Sequence, residues 1–383
     1  MSQLTHQLPN ILLPASSDLP VDIKQKDAGA AAFSEEFRKL HGLLGDKEQL
    51  PDVDSIRVEL THAASSLYGM AETAAAQTTS AQTMSKEDLS RNLREALGDI
   101  DRERRRLDDF VIYDKYFGVA RSASYTRDDF AANLTKTVAR LLDDLTHTLL
   151  NIDDLAAIVR SADVMLRSCC AGDGDTSLES APLVATANVP SHAHPRETDT
   201  AYRWRLGHHF FALCAEFSRH CLIAAANRLP DGSPHEMADL IDLARLTLRG
   251  TTAAMWYATN MSQAAYMGTI RPSMEAVQIG GFSGTQNLDY ERLKKTREST
   301  IKKFCQRYGT KDDFQFEVRE AFVAHCEAEV QDLEHHTLIA ASKVSMNPSL
   351  LQGSGAAFPA VEMLRLMAHG RRGDLAIFLG SVE

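Results

Sequence analysis

Histidine is the side chain whose placement in this sequence most invites chemistry. Of 14 histidines in 383 residues, His208, His209 and His220 share one apolar stretch, and His325, His335 and His336 share another. A neutral imidazole presented from a rigid helix can bind iron when its second ring nitrogen is held by a partner. Any one of them taken alone is more commonly a surface or hydrogen-bonded core residue. A di-iron carboxylate centre would need a glutamate from each of two helices and a Glu-x-x-His pair from each of two more. Glu216-x-x-x-His220 and Asp332-x-x-His335 fall short of that set. Arg271, in Tyr266-Met-Gly-Thr-Ile-Arg271-Pro272, is expected where proline ends a helix. From a loop edge its guanidinium can fork onto a carboxylate, and equally a basic last turn simply suits the helix macrodipole. Gly280-Gly281-Phe282-Ser283-Gly284 and Gly353-Ser354-Gly355 let backbone approach a ligand or a neighbouring helix. The first follows no strand and lacks the Lys-Ser/Thr of a phosphate loop. There is no Gly-x-Ser-x-Gly elbow, and the six cysteines include no CxxC pair.

These residues need helices to hold them, and the chain reads as all-α or nearly so. Residues 1–30, with Pro9, Pro14 and Pro20, form an extended arm. Helices are expected from Ser34 to Gly45 and over 54–78, then behind the capping signal Ser85-Lys-Glu-Asp88 as far as Phe117. Thr126-Arg-Asp-Asp129 opens another, whose apolar positions Leu134, Val138, Leu141, Leu142, Leu145, Leu149 and Ile152 keep a helical period. Between Gly172 and Pro195 neither period survives, which marks a boundary or long loop. Helix resumes from Thr198 to Leu229. Ser233-Pro234-His-Glu236 starts the next, which extends toward Met267 and stops by Pro272. Residues 288–309 are helical, Thr310-Lys-Asp-Asp313 caps the helix carrying His325, His335 and His336, and 359–369 make a last short one. The organisation expected is an arm (1–30), a smaller N-terminal helical domain (31–171), a linker (172–197) and a larger C-terminal domain (198–383).

A formal charge of -11 disfavours a nucleic-acid binder. The one dense basic run, Arg102, Arg104, Arg105 and Arg106, is interleaved with acids and reads as a solvated helix face. No window approaches 18 uncharged apolar residues, and no basic-then-apolar leader is visible, so the expectation is a cytoplasmic protein with no membrane partner.

Taken in order, four segments resemble the haem-dependent tryptophan and indoleamine 2,3-dioxygenase superfamily over roughly residues 184–370. In motif they are most like its indoleamine dioxygenase and monodechloroaminopyrrolnitrin synthase branches. Trp204-Arg-Leu-Gly-His208-His209-Phe-Phe-Ala-Leu-Cys-Ala-Glu216 resembles the helix over the distal haem face. Tyr266 to Pro272 resembles the segment whose arginine holds the substrate carboxylate. Gly280 to Gly284 is similar to a stretch beside the haem, and Arg271-Pro272…Ile279-Gly280-Gly281 is similar to the pyrrolnitrin branch. His336-Thr-Leu-Ile-Ala-Ala-Ser-Lys resembles the helix of the proximal histidine, and Gln352-Gly-Ser-Gly355 the loop that closes over substrate.

The resemblance implies an all-α indoleamine 2,3-dioxygenase-like fold with His336 as the axial ligand of haem b; His335 fits the loop spacing about as well. It implies haem contacts from Ala212, Gly281, Ser283 and Gly284, with His208 near the bound co-substrate, dioxygen or peroxide. Substrate contacts would come from Arg271, Tyr266, Gly353, Ser354 and Gly355. A thioether-linked haem would want a cysteine four residues after the ligand, where Ala340 stands. The substrate implied is tryptophan or a related indole or aromatic amino acid, its ring dioxygenated, monooxygenated or rearranged, with secondary metabolism as the setting. The tyrosine-hydroxylating branch of the superfamily is also open, as are an electron donor and a homodimer. Outside this reading stand a non-haem di-iron oxygenase and a non-catalytic haem sensor.

Overall fold

In the computed structural model, residues 8, 10–15, 35–45, 53–77, 102–148, 150–170, 200–277, 286–309, 313–344 and 360–379 are described. They are almost wholly helical, an all-α chain. The first half carries α1 (Glu35–Gly45), α2 (Val53–Gln77), α3 (Arg102–Phe117), α4 (Arg127–Leu145) and α5 (Ile152–Cys170). The second half carries α6 (Thr200–Asn227), α7 (Pro234–Ala258), α8 (Gln263–Ala265), a π-helical turn (Tyr266–Ile270), α9 (Arg271–Glu275), α10 (Leu288–Tyr308), α11 (Phe316–Lys343) and α12 (Ala360–Leu379).

Local chemistry sets several of these boundaries. Thr126 and Ser233 each accept from the backbone N–H three residues on, and Asp129 and Glu236 reach back to the cap, so both starts are full capping boxes. Other expectations need correction. The apolar period from Leu134 to Ile152 is not one helix. It breaks after Leu145, and Asn151 accepts from the Asp154 N–H to begin α5. α7 ends at Ala258 rather than near Met267, and Pro272 does not stop a helix. It sits at the start of α9, where its missing N–H is no loss, directly after a turn closed by the Arg271 N–H donating to the Tyr266 carbonyl. Gln315, not Thr310-Lys-Asp-Asp313, flanks α11, and α12 runs ten residues past 369. The Ser85 signal and the 172–197 linker lie outside the described residues.

The N-terminal arm carries a strand the sequence reading lacked. β1 (Ile11–Pro14) pairs in parallel with β2 (Val119–Ser122), Ile11 opposite Val119. Gly118, at φ 69°, makes the turn between α3 and β2. A side chain there would strike the Arg205 guanidinium, which donates to the Phe117 carbonyl (2.7 Å) and to Asn10 (2.8 Å). Arg121 of β2 is buried. It forks onto Asp114 of α3 (2.8 and 2.8 Å) and onto Asp289 of α10 (2.5 and 2.9 Å), tying three elements together.

α6 is the central helix, buried on nearly all sides, as its even spread of apolar residues requires. At Gly207 a Cβ would come within 2.5 Å of the Ala258 Cβ, so glycine lets α6 and α7 close up. One apolar core joins Leu134 and Leu142 of α4, Phe210 and Phe217 of α6, Phe322 of α11 and Phe378 of α12. Inside it, Glu216 is neutralised by Arg219 (2.9 Å) and Arg292 (3.1 Å). That pairing removes Glu216 from any metal set. Among the described residues no helix is long and apolar enough to cross a membrane.

Candidate functional site

Burial and hydrogen-bond partners on α6 and α11, which both pack on α7, decide which of the histidines can do chemistry. His209 is buried and donates from Nε2 to the Phe117 carbonyl (2.6 Å), a structural bond, and His325 is enclosed in the core. His208 is 7% exposed and donates from Nδ1 to the Trp204 carbonyl one turn back (2.6 Å). Its other ring nitrogen, Nε2, therefore keeps its lone pair, and no described residue hydrogen-bonds to it. Burial drives its pKa down to about 3, helped by charge on His209 and His336, so it stays neutral. The ring lies flat on Phe117 (centroids 3.9 Å, 15°) and against Trp204 (4.3 Å).

His335 and His336 are neighbours on α11, and the helical turn of about 100° between them points them differently. The indole N–H of Trp256 donates to His335 Nδ1 (3.3 Å). An indole nitrogen only donates, so the neutral His335 must carry its proton on Nε2 and has no lone pair left for a metal. His336 places Nδ1 3.7 Å from Asp332 Oδ2, an ion-pair distance rather than a close hydrogen bond. Burial alone would lower its pKa, but the Asp332 carboxylate outweighs that and the net shift is upward. Asp332 is itself fixed by the Thr252 hydroxyl (2.7 Å). A carboxylate behind Nδ1 leaves Nε2 as the donor atom and raises its basicity, the usual support of a metal-bound histidine. The two imidazoles are close enough that charge on His336 opposes protonation of His208.

Beside His208 stands an aromatic nest formed by Tyr113, Tyr116 and Phe117 of α3, Trp204 of α6 and Tyr266 of the π-turn. Tyr266 meets Trp204 edge-on at 6.0 Å, and burial pushes its hydroxyl up to about 12 against the pull of Arg271. Arg271 is not at a loop edge. It begins α9 and donates from Nε to Glu275 (3.0 Å), with its side chain 13% exposed. The structure thus places His208 and Tyr266 against Trp204, with Arg271 near Tyr266, while His336 stands on α11 close enough for its charge to be felt at His208. It turns His335 away, toward Trp256 and Asp154. Ala212 is one turn along α6 from His208 and packed in the main core. Gly281, Ser283, Gly284, Gly353, Ser354 and Gly355 lie outside the described residues. Sequence reasoning missed Tyr113, Tyr116 and Phe117. Their spacing within one α3 turn was a usable signal, and so was the i, i+4 pair Asp332–His336.

The donor set suits a haem, which needs one imidazole from the protein and a flat apolar surface beside it. It does not suit a di-iron centre. Among the described residues no three His, Cys, Asp or Glu side chains gather as metal ligands, and Asp332 serves His336 rather than His335. A separate cleft of about 1010 Å³ opens on the far side of the Thr259–Ser262 turn, lined by Arg57, Asp154, Trp256, Met261 and Lys343 among others. It holds none of the candidate residues, and the imidazole chemistry is the better guide to function.

No curated protein matches the chain. Among solved structures, "Crystal structure of reduced SfmD by soaking with sodium hydrosulfite" is similar at 18% identity, over 80% of this chain and 98% of that one, with a TM-score of 0.41. That likeness is too loose to transfer any residue. Residues 43–312 match the family described as SfmD 3-methyl-L-tyrosine peroxygenase, a span that ends just before α11. It covers well over half the sequence, and the chain belongs to the SfmD 3-methyl-L-tyrosine peroxygenase family.

Proposed function

We propose that this protein is a haem-dependent peroxygenase that oxygenates the ring of an aromatic amino acid of the tyrosine type. His336 would hold the haem through Nε2, with Asp332 fixing the ring, and because Ala340 stands four residues on, no thioether link would form at that position, as in a haem b. The haem supplies the redox chemistry by which one peroxide oxygen enters the ring while the other leaves as water. The residues of this chain do the rest. His208, held neutral by burial and with Nε2 unprotonated, offers that lone pair as a hydrogen-bond acceptor to a hydroxyl of the bound co-substrate or substrate. Arg271 forks onto the substrate carboxylate, giving up its exposed Glu275 partner, and Tyr266 and Trp204 form the wall on which the ring rests. Holding that geometry and keeping water from the aromatic nest is the protein's part in the rate.

One observation carries this reading: the Asp332 carboxylate, held by the Thr252 hydroxyl, stands 3.7 Å from His336 Nδ1 and leaves Nε2 for a metal, while His208 donates from its own Nδ1 and keeps the Nε2 lone pair. The family's description supports a phenolic ring. An indole ring remains the second reading, favoured by the segment Arg271-Pro272…Ile279-Gly280-Gly281. Incubating the haem-loaded protein with hydrogen peroxide and, separately, 3-methyl-L-tyrosine, L-tyrosine and L-tryptophan decides between them. The proposal expects a hydroxylated phenol, with one atom of labelled peroxide oxygen in the product. Conversion of tryptophan alone would favour the indole reading, and no turnover of any of them would favour a non-catalytic haem protein.

A further inference from the structure

The cleft beyond the Thr259–Ser262 turn has a chemistry of its own. Lys343, in the last turn of α11, donates from Nζ to the Met261 carbonyl (2.6 Å), and no described carboxylate pairs with it. Two of its three N–H bonds are uncommitted. Asp154, near the start of α5, takes one hydrogen bond on Oδ2 from the Asn151 amide (2.6 Å), and no described residue bonds to Oδ1. Trp256 of α7 stands between these elements, its N–H turned to His335. The other large cations of the lining are engaged: Arg203 is held by Asp144 (2.7 Å), and Arg57 by the Thr146 carbonyl (3.1 Å) and Asp54. One uncompensated ammonium, one carboxylate oxygen still open and one indole therefore face a space large enough for a small molecule.

We propose that this cleft is a second binding site, for an aromatic α-amino acid in its zwitterionic form: the ligand carboxylate on the Lys343 ammonium, its ammonium on Asp154 Oδ1, and its ring against Trp256. Opposite charges at the two ends select a zwitterion over a simple anion or cation, and the indole adds ring contact. Lys343 sits in an environment where burial lowers its pKa, so a ligand carboxylate would relieve an existing cost. The Thr259–Ser262 turn, whose Met261 also packs on the aromatic nest, separates this site from Arg271. The site does not depend on whether His336 carries iron.

The chain has two tryptophans, Trp204 and Trp256, which makes a direct test available. In a Trp204→Phe variant all indole emission reports from the cleft. Titration with L-phenylalanine should change that emission saturably, and calorimetry on the otherwise wild-type protein should show a binding event that Arg271→Ala leaves intact. Lys343→Met should weaken L-phenylalanine and 3-phenylpropionate by about tenfold or more and spare phenethylamine. Asp154→Asn should weaken L-phenylalanine and phenethylamine and spare 3-phenylpropionate. Lys343 is only half buried and at a helix end, so its variant will fold even if the Asp154 variant does not. A silent Trp256 at millimolar L-phenylalanine, or a response that Lys343→Met leaves unchanged, would overturn the proposal.

Discussion

Replacing Arg121 with methionine should unfold more than a surface contact. Its guanidinium is 2% exposed and serves two carboxylates that are almost as enclosed, Asp114 at 7% and Asp289 at 1%. Removing one partner of a buried pair costs about 3–5 kcal/mol, because the remaining charge has nowhere to go. Here two carboxylates lose the same partner, so the loss at neutral pH should sit near the top of that range, about 5 kcal/mol. The loss should also depend on pH. Burial already pushes the Asp289 carboxyl up, and Arg121 pulls it back. Even with Arg121 in place the net shift is upward, to about 6, and without it the carboxyl climbs further. Above about 6 the folded variant therefore binds a proton that neither wild type nor the unfolded chain does. Stability then falls as pH rises through that interval and is regained on acidification at about 1.4 kcal/mol per unit. Urea unfolding followed by circular dichroism near pH 7 and near pH 5, wild type beside variant, measures both effects. A deficit under about 1 kcal/mol, or one equal at both pH values, would refute the reasoning. The consequence reaches the site, since β2 and α3 hold Phe117 under His208.

Asp332→Asn should weaken haem retention by about 10- to 100-fold, read from the rate of haem transfer to an apo-globin acceptor, because the ring of His336 loses its fixing charge. In the haem-free protein the raised His336 pKa makes its stabilising contribution full below the unfolded value of about 6.5 and lost as pH climbs through the higher folded value. Melting temperatures across that window should therefore decline in wild type and stay flatter in Asp332→Asn. Arg271→Ala should raise KM for carboxylate-bearing substrates by about tenfold or more while hardly touching decarboxylated amines; equal loss for both would remove Arg271 from substrate binding.

What could be read in advance followed from local rules. Thr126-x-x-Asp129 and Ser233-x-x-Glu236 satisfy their own backbone within four residues, so the starts of α4 and α7 were visible without tertiary structure. The break at Leu145 was not, because Leu149 and Ile152 continue the apolar period across it. β1 and β2 are four residues each and more than a hundred apart, and β2 contains a charged Arg121 that only a distant Asp289 explains. On α11 the family resemblance favours His336, with His335 fitting the loop spacing about as well. Their different surroundings, His335 at the Trp256 N–H and His336 beside Asp332, depend on helix phase and on partners on other helices that the sequence does not display. Arg271 was expected at a frayed helix end; the π-turn that absorbs Pro272 places it on a short helix instead.

The coordinate bond to His336 is tested most directly by visible absorption of the purified protein supplied with haemin, beside His336→Ala and His335→Ala. The account predicts an intense band near about 400 nm in wild type and in His335→Ala, displaced or largely lost in His336→Ala. An unchanged band in His336→Ala, or its loss in His335→Ala instead, would contradict it.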